Sequence, residues 1–193
     1  MRKKIILATL WLLLPLVALA YHYGPGQERL ALEHTDDLLA ESQAAVADEN
    51  WPEAIRLYQD ALAKLPKEKT QISRKIQLEI AKAKMQNSQL PEAREELAAL
   101  AAEIQSDPNA SPEIKQQVTS TLANARYYMT YLMKLEGKPD AEWEPEIEAA
   151  RQEYKLLAQN SQAGSKHLLD LEATIRLARA TPKELYGLPI PSQ

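Results

Sequence analysis

Apolar residues recur every three or four positions through most of this chain, and that spacing restricts the possible folds more than any other feature. The segment after Pro52 shows it most clearly, with an apolar stripe at Ala54, Leu57, Tyr58, Ala61, Leu62 and Leu65. Such spacing places the side chains on one face of an α-helix. Strand-like alternation is scarce, and the helix-favouring residues Ala, Leu, Glu, Lys and Gln dominate. The body is therefore predicted to be all-α, with each helix burying one face on its neighbours.

Similar stripes follow in later segments, at Ala93, Leu97, Leu100 and Ile104, at Ile147, Ala150, Tyr154 and Leu157, and at Leu168, Leu171, Ile175 and Ala178. Glycine and proline separate the segments. These marks predict helices over residues 29–49, 52–64, 68–87, 91–105, 112–136, 142–159 and 165–179. The sequence from Thr181 to Glu184 has the pattern of a capping box, which predicts one more short turn.

An uncharged apolar run occupies residues 5–20, after three basic residues and before an acidic stretch. This order of charges predicts an N-terminus on the inner side of a membrane and a body on the extracytoplasmic, periplasmic side. The tripeptide ending at Ala20 has the small-x-small form of a signal-peptidase site, which favours cleavage there. Including residues 21–23, however, the run approaches the roughly 20 residues that span a bilayer, which favours an uncleaved anchor. Both alternatives stay open.

Three regions follow from these patterns. Residues 1–23 are predicted to be a signal peptide or a single transmembrane anchor, residues 24–180 a helical domain, and residues 181–193 a proline-rich tail. The tail from Leu185 to Pro191 is expected to be extended by its prolines. It either covers an apolar groove, recruits a partner, or packs on the body of its own chain.

Charge and cysteine content exclude several functional classes. The 193 residues carry a formal charge of -4, and three of the 23 basic residues precede the apolar run, so the body is acidic. An acidic body without a basic stripe argues against nucleic-acid binding. The chain has no cysteine, which excludes lipoprotein modification, disulfides, thioether-bound haem and a thiol nucleophile.

A short motif occurs twice, as Pro-Glu-Ala at residues 52–54 and again at residues 91–93. Around the first copy, the residues at relative positions 0, +4, +7 and +12 are Ala54, Tyr58, Ala61 and Pro66. This pattern resembles the tetratricopeptide repeat, a unit of two antiparallel helices with alanine, aromatic, alanine and proline at these places. Around the second copy, the corresponding small and apolar residues are Ala81, Ala93 and Leu97.

The resemblance implies a right-handed superhelix of about three antiparallel helix pairs and a capping helix, after the N-terminal hydrophobic helix. It is closest over residues 30–105 and looser to residue 180. Residues 112–136 and 142–159 would form the third pair, and residues 165–179 the capping helix. A generic amphipathic helical bundle is the alternative fold.

The resemblance also implies a groove, lined by the first helices of successive pairs, that holds a peptide or a helix of a partner protein. Candidate groove residues on these helices are Arg74, Gln77, Lys84, Asn124, Arg126 and Tyr128. A solvated helix face is the competing interpretation of each. They do not match the set of Lys, Asn and Arg residues with which some family members clamp C-terminal carboxylates.

Residues 127–133, Tyr-Tyr-Met-Thr-Tyr-Leu-Met, contain more aromatic and methionine side chains than a single stripe requires. Tyrosine and methionine suit adaptable interfaces, so part of the stretch is a candidate groove wall. A central helix that is covered on both sides would have the same composition, and this interpretation is favoured.

Catalytic signals are weak. His22, His34 and His167 have no candidate ligand or nucleophile at a useful spacing, and no familiar catalytic or nucleotide-binding motif occurs. We expect no enzyme activity, no cofactor and no metal. The predicted function is a protein-binding scaffold of the cell envelope, and the alternative is a self-associating structural protein; the sequence predicts neither the partner nor the oligomeric state.

Overall fold

The structure is a computed structural model that describes residues 25–160, 164–181 and 183–185, together with the single residues 11, 13 and 15. Seven helices account for most of the continuous ranges, and these ranges contain no strand. In chain order they are α1 Pro25–Ala47, α2 Trp51–Lys64, α3 Thr70–Gln86, α4 Leu90–Ser106, α5 Pro112–Leu135, α6 Asp140–Asn160 and α7 Gly164–Arg179. The all-α prediction is confirmed for the described residues.

The predicted boundaries agree with the observed ones to within four residues. The largest difference is at the start of α1, which begins at Pro25 and includes Gly26, although these residues were predicted to precede the helix. Proline is tolerated in the first turn, where its missing N–H would have no partner in the helix. Prolines also occupy the first turns of α2, α4 and α5.

The same backbone turn joins the helices within each of the pairs α1–α2, α3–α4 and α5–α6. Its central residue has a positive φ: 55° at Glu49, 60° at Ser88 and 70° at Gly137. The next N–H closes the end of the preceding helix: Asn50 donates to Ala45 O at 2.8 Å, Gln89 to Lys84 O at 2.9 Å and Lys138 to Met133 O at 2.9 Å. These are Schellman-type ends, in which a left-handed residue is followed by a donor that reaches back five positions. The third pair therefore repeats the local geometry of the first two.

Changing the residue at the left-handed position should alter stability in a predictable direction. Ser88→Gly is expected to raise the free energy of unfolding by about 1 kcal/mol, because glycine adopts this φ without strain at Cβ. Gly137→Ala is expected to lower it by about 1 kcal/mol, although no atom lies within 4 Å of the added Cβ. Urea unfolding measures both changes.

The control for this pair of substitutions is Gln86→Gly, in the last turn of α3, which should destabilise the protein by about 0.5–1 kcal/mol. If Ser88→Gly destabilised it as the control does, the left-handed conformation at residue 88 would not be a source of strain.

Three larger apolar clusters follow one another along the described chain, and a smaller one at Tyr154 also joins α5, α6 and α7. The first is formed by α1, α2 and α3, and includes Leu38, Tyr58 and Ile76. The second joins α3, α4 and α5, and the third joins α5, α6 and α7. Because α3 and α5 each belong to two clusters, consecutive helix pairs pack on one another in chain order, and α3 also contacts α5 directly. This arrangement is consistent with a tetratricopeptide-like helical repeat.

The residues that carry the repeat pattern lie mostly inside these clusters. Ala54, Ala61, Ala93 and Leu97 are fully buried, Ala81 and Tyr58 nearly so, and Pro66 is half-buried. Alanine at a helix crossing lets two backbones approach closely. The stripes predicted for the fourth and sixth helices are likewise buried in α4 and α6.

The stripe predicted for the seventh helix is only partly confirmed, because Leu171 and Ala178 are partly buried against the core and Leu168 is not. Leu168 of that stripe is 52% exposed, whereas the buried side chains of α7 include His167, Asp170 and Thr174. The inward face of α7 is therefore partly polar, and the helix is rotated relative to the predicted orientation. His167 lies beside Asp170 and beside Tyr154 of α6, and the Thr174 hydroxyl donates to Leu171 O at 2.6 Å.

Within the described part of the chain, no helix is both long and apolar enough to cross a membrane. The predicted signal or anchor, residues 5–23, lies outside the described residues except at positions 11, 13 and 15. The predicted capping box is present: the backbone N–H and the hydroxyl of Thr181 both donate to Glu184 Oε2 at 2.8 Å.

Candidate protein-binding grooves

A pocket of about 340 Å³ opens on the face formed by the first helices of the three pairs, and we call it the first-helix pocket. The C-terminal half of α3 provides one wall, through Glu79, Lys82 and Gln86. The middle of α5 provides another, through Thr121 and Asn124. Val46 of α1, Trp51 at the start of α2 and Lys166 of α7 complete the lining, so the pocket lies where the three pairs and α7 meet.

Asn124 is the most unusual side chain in this pocket. It is only 8% exposed, and its Oδ1 atom has no hydrogen-bond partner among the described residues. A buried polar atom without a partner costs about 1–3 kcal/mol. Nearby, Lys82 and Glu79 form an ion pair at 2.8 Å, so these two opposite charges neutralise each other. The pocket thus places the Asn124 amide beside one ion pair and one further basic side chain, Lys166 of α7.

A larger depression of about 900 Å³ lies beyond the turn between α3 and α4, and we call it the overhang groove. It exists because α5 has 24 residues and α3 has 17. At about 1.5 Å per residue, α5 is about 10 Å longer, and its last turns extend past the end of α3. The wall consists largely of apolar and aromatic side chains, which include Tyr127, Tyr128, Tyr131, Met129, Met133 and Met85.

Of the six predicted groove residues, Asn124 lines the first-helix pocket and Tyr128 lines the overhang groove. The other four lie elsewhere. The Gln77 amide donates to Ser73 within the same helix at 3.0 Å, and Lys84 pairs with Glu96 of α4 at 2.5 Å. Residues 127–133 were interpreted either as a groove wall or as a covered central helix, and each interpretation fits part of the stretch. Tyr127 is buried in the third cluster, whereas Leu132 is 45% exposed.

Arg74 ties the beginning of α3 to the end of α4. Its guanidinium is buried and lies 2.7 Å from Asp107 and 2.9 Å from Glu103. The hydrogen bond from Arg74 lowers the pKa of Asp107, and the same contact raises the pKa of Arg74. Both partners of Arg74 therefore belong to its own helix pair, and the residue lines neither cavity.

Arg126 belongs to a cluster of four charges that links three helices. It lies 3.3 Å from both Glu146 and Glu153 of α6, and Arg94 of α4 donates to Glu146 at 3.1 Å. Burial raises the pKa of Glu153 to about 7, and the nearby Glu146 adds to this, against the opposing effect of the two arginines. We call these residues the charge cluster. Sequence reasoning missed it, because Arg94 and Glu146 are 52 positions apart.

A second polar group is enclosed between α6 and α7. His167 Nδ1 and Asp170 Oδ2 are 3.7 Å apart, and the rings of Tyr154 and His167 are 6.4 Å apart between centroids. Burial raises the pKa of Tyr154, and the nearby Asp170 raises it further. All three side chains are almost fully buried. In the described part of the chain, no group of acidic or histidine side chains has an arrangement that would hold a metal ion.

Comparison with known proteins supports the repeat pattern. Residues 45–112 match the family model described as tetratricopeptide repeat. This range extends from the end of α1 to the start of α5, and it contains both Pro-Glu-Ala motifs. Neither the curated proteins nor the solved structures include a match to the chain. Tetratricopeptide repeats generally mediate contacts between proteins, and this chain carries a tetratricopeptide repeat region in residues 45–112.

Proposed function

We propose that this protein is a non-enzymatic scaffold that binds an extended segment of a partner protein in the first-helix pocket. The observation that carries the proposal is the buried Asn124 amide, whose oxygen has no partner in a pocket beside the matched repeat region. That oxygen exposes less than 1 Å² of surface. The Asn124 side chain would turn toward the pocket to accept from an N–H of a bound peptide, which would remove the cost of leaving the oxygen without a hydrogen bond. Tetratricopeptide repeats commonly bind proteins, which agrees with this role.

The lining of the pocket suggests what kind of segment it binds. A carboxamide has both a donor and an acceptor, so Asn124 can bond the C=O and the N–H of an extended backbone. Thr121 and Ser120 add hydroxyl groups, while Ala83 and Met85 add apolar surface. Three charged side chains line the pocket: Glu79 and Lys82 pair with each other, and Lys166 of α7 adds one positive charge. An extended peptide with few charged side chains, and with no positive charge beside Lys166, fits these groups.

We also propose that the protein works in the cell envelope, with its body on the extracytoplasmic side of the membrane. The support is the order of residues at the N-terminus, where basic residues precede an uncharged run at 5–20 and acidic residues follow it. Both a cleaved signal peptide and an uncleaved anchor agree with that order.

A photoreactive phenylalanine analogue at position 121 tests the pocket. Illumination of cells that produce this variant is expected to give a discrete adduct with a different protein in the envelope fraction. The matched control carries the same analogue at Glu95, an exposed position on α4 away from the pocket, and should give no adduct. Asn124→Ala is expected to reduce the adduct yield about three- to tenfold, because loss of one hydrogen bond weakens binding by about 1 kcal/mol.

Three results would contradict parts of the proposal. Equal adducts from positions 121 and 95 would mean that contact is non-specific. An adduct with the mass of two copies of this chain would favour a self-associating structural protein. If the protein and its adduct were recovered from the cytosol, the proposed location would be wrong, although the pocket assignment would stand.

A further inference from the structure

The overhang groove lies apart from the first-helix pocket, and its lining differs. Tyrosine, methionine and leucine side chains make up most of its surface, and Tyr127 meets Tyr128 edge-on with 5.9 Å between ring centroids. Leu132, on the same wall, is 45% exposed. Apolar and aromatic side chains gathered in one open groove form a candidate contact surface for another segment.

Leu185 indicates what the occupant is. Its side chain is 1% exposed and packs in the third apolar cluster with Trp143 and Leu177. The same residue also lines the overhang groove. The turn that precedes it is closed by Thr181 and Glu184. The end of the described chain is therefore fixed at the wall of the groove.

We propose that the segment after Leu185, residues 186–193, lies in the overhang groove of its own chain. Its sequence, YGLPIPSQ, carries no charge and places three apolar side chains, Tyr186, Leu188 and Ile190, at alternate positions. Prolines at 189 and 191 favour an extended backbone, which would present these side chains at regular intervals. An uncharged, extended, apolar segment matches a wall of tyrosine and methionine.

The reach of the segment is sufficient. Eight extended residues span up to about 26 Å, whereas the exposed end of α5 from Tyr127 to Glu136 is about 14 Å long. Because the segment is tethered at the groove wall, its effective concentration there is in the millimolar range. A weakly binding partner could enter the groove only by displacing it.

Methionine oxidation tests the proposal in the full chain. Leu188→Asp with Ile190→Asp would place two charges against the apolar wall and release the segment. Hydroxyl-radical oxidation of Met129 and Met133, followed by mass spectrometry, is expected to speed up at least threefold in this variant. The matched control, Ser192→Asp with Gln193→Asp, adds the same charge at the end of the segment and should leave both rates unchanged.

A second measurement uses the isolated segment. A labelled synthetic peptide of residues 186–193 is expected to bind a chain truncated after Leu185 at least tenfold more tightly than the full chain. Leu132→Glu in the truncated chain should abolish that binding.

Two outcomes would overturn the proposal. In the first, oxidation rates are equal in the two double variants. In the second, light scattering shows a dimer and the methionine oxidation of the unsubstituted chain rises on dilution, because the occupant would then be a second copy.

Discussion

Glu153→Gln is expected to remove a pH dependence of stability worth about 3 kcal/mol between pH 4.5 and pH 7. Burial raises the pKa of Glu153 from 4.5 to about 7 in the folded protein. Within that window the folded state therefore binds more protons than the unfolded state, so the free energy of unfolding falls as pH rises. Each pKa unit corresponds to about 1.4 kcal/mol. The glutamine side chain does not titrate in this range. The Glu153→Gln protein should therefore not lose this stability between pH 4.5 and pH 7.

The measurement is urea unfolding at pH 4.5, 5.5, 6.5 and 7.5 for both proteins. Glu148→Gln is the matched control on the same helix. Hydrogen bonds from Arg151 and Gln152 lower the pKa of Glu148 to about 2, so its own contribution is lost only as pH falls below 4.5. The Glu148→Gln protein should lose stability between pH 4.5 and 7, as the unsubstituted protein does. If the unsubstituted protein were equally stable at pH 5 and 7.5, Glu153 would be ionised throughout and the charge cluster fully compensated.

The helices were predictable because the signals that set them are local. Prolines at residues 52, 91 and 112 mark helix starts, and the stripe from Ala93 to Ile104 is buried as its spacing predicts. The repeat was predictable for the same reason, since small residues such as Ala54 recur where helices cross. No contact between distant residues was needed for these predictions.

The orientation of the seventh helix and the positions of the cavities depend on contacts between residues that are distant in the sequence. The spacing of apolar residues does not reveal such contacts. Two faces of α7 carry apolar residues, and its neighbours select the one that holds Ala173 and Leu177 together with His167, whose ring lies beside Tyr154. The overhang groove follows from the difference in length between α3 and α5, which matters only once the two helices lie side by side. Arg126 was predicted as a groove residue, but its nearest charges are on α6.

Consecutive helix pairs stack in chain order, and a thiol crosslink between two pairs tests this arrangement most directly. The natural chain has no cysteine, so Arg94→Cys with Glu146→Cys introduces the only two thiols. These residues link α4 of the second pair to α6 of the third. Removing both leaves no unpaired charge between them, and Arg126 keeps Glu153 as a partner.

A short bismaleimide is expected to join the two thiols within one chain almost completely, and mass spectrometry identifies the linked peptides. The control pair, Arg94→Cys with Glu33→Cys, tests a residue on α1, which packs mainly on α2, and should give little product. Efficient linkage of the first pair with little in the control is the result that stacking predicts. Equal yields from both pairs, or linkage only between different chains, would contradict it.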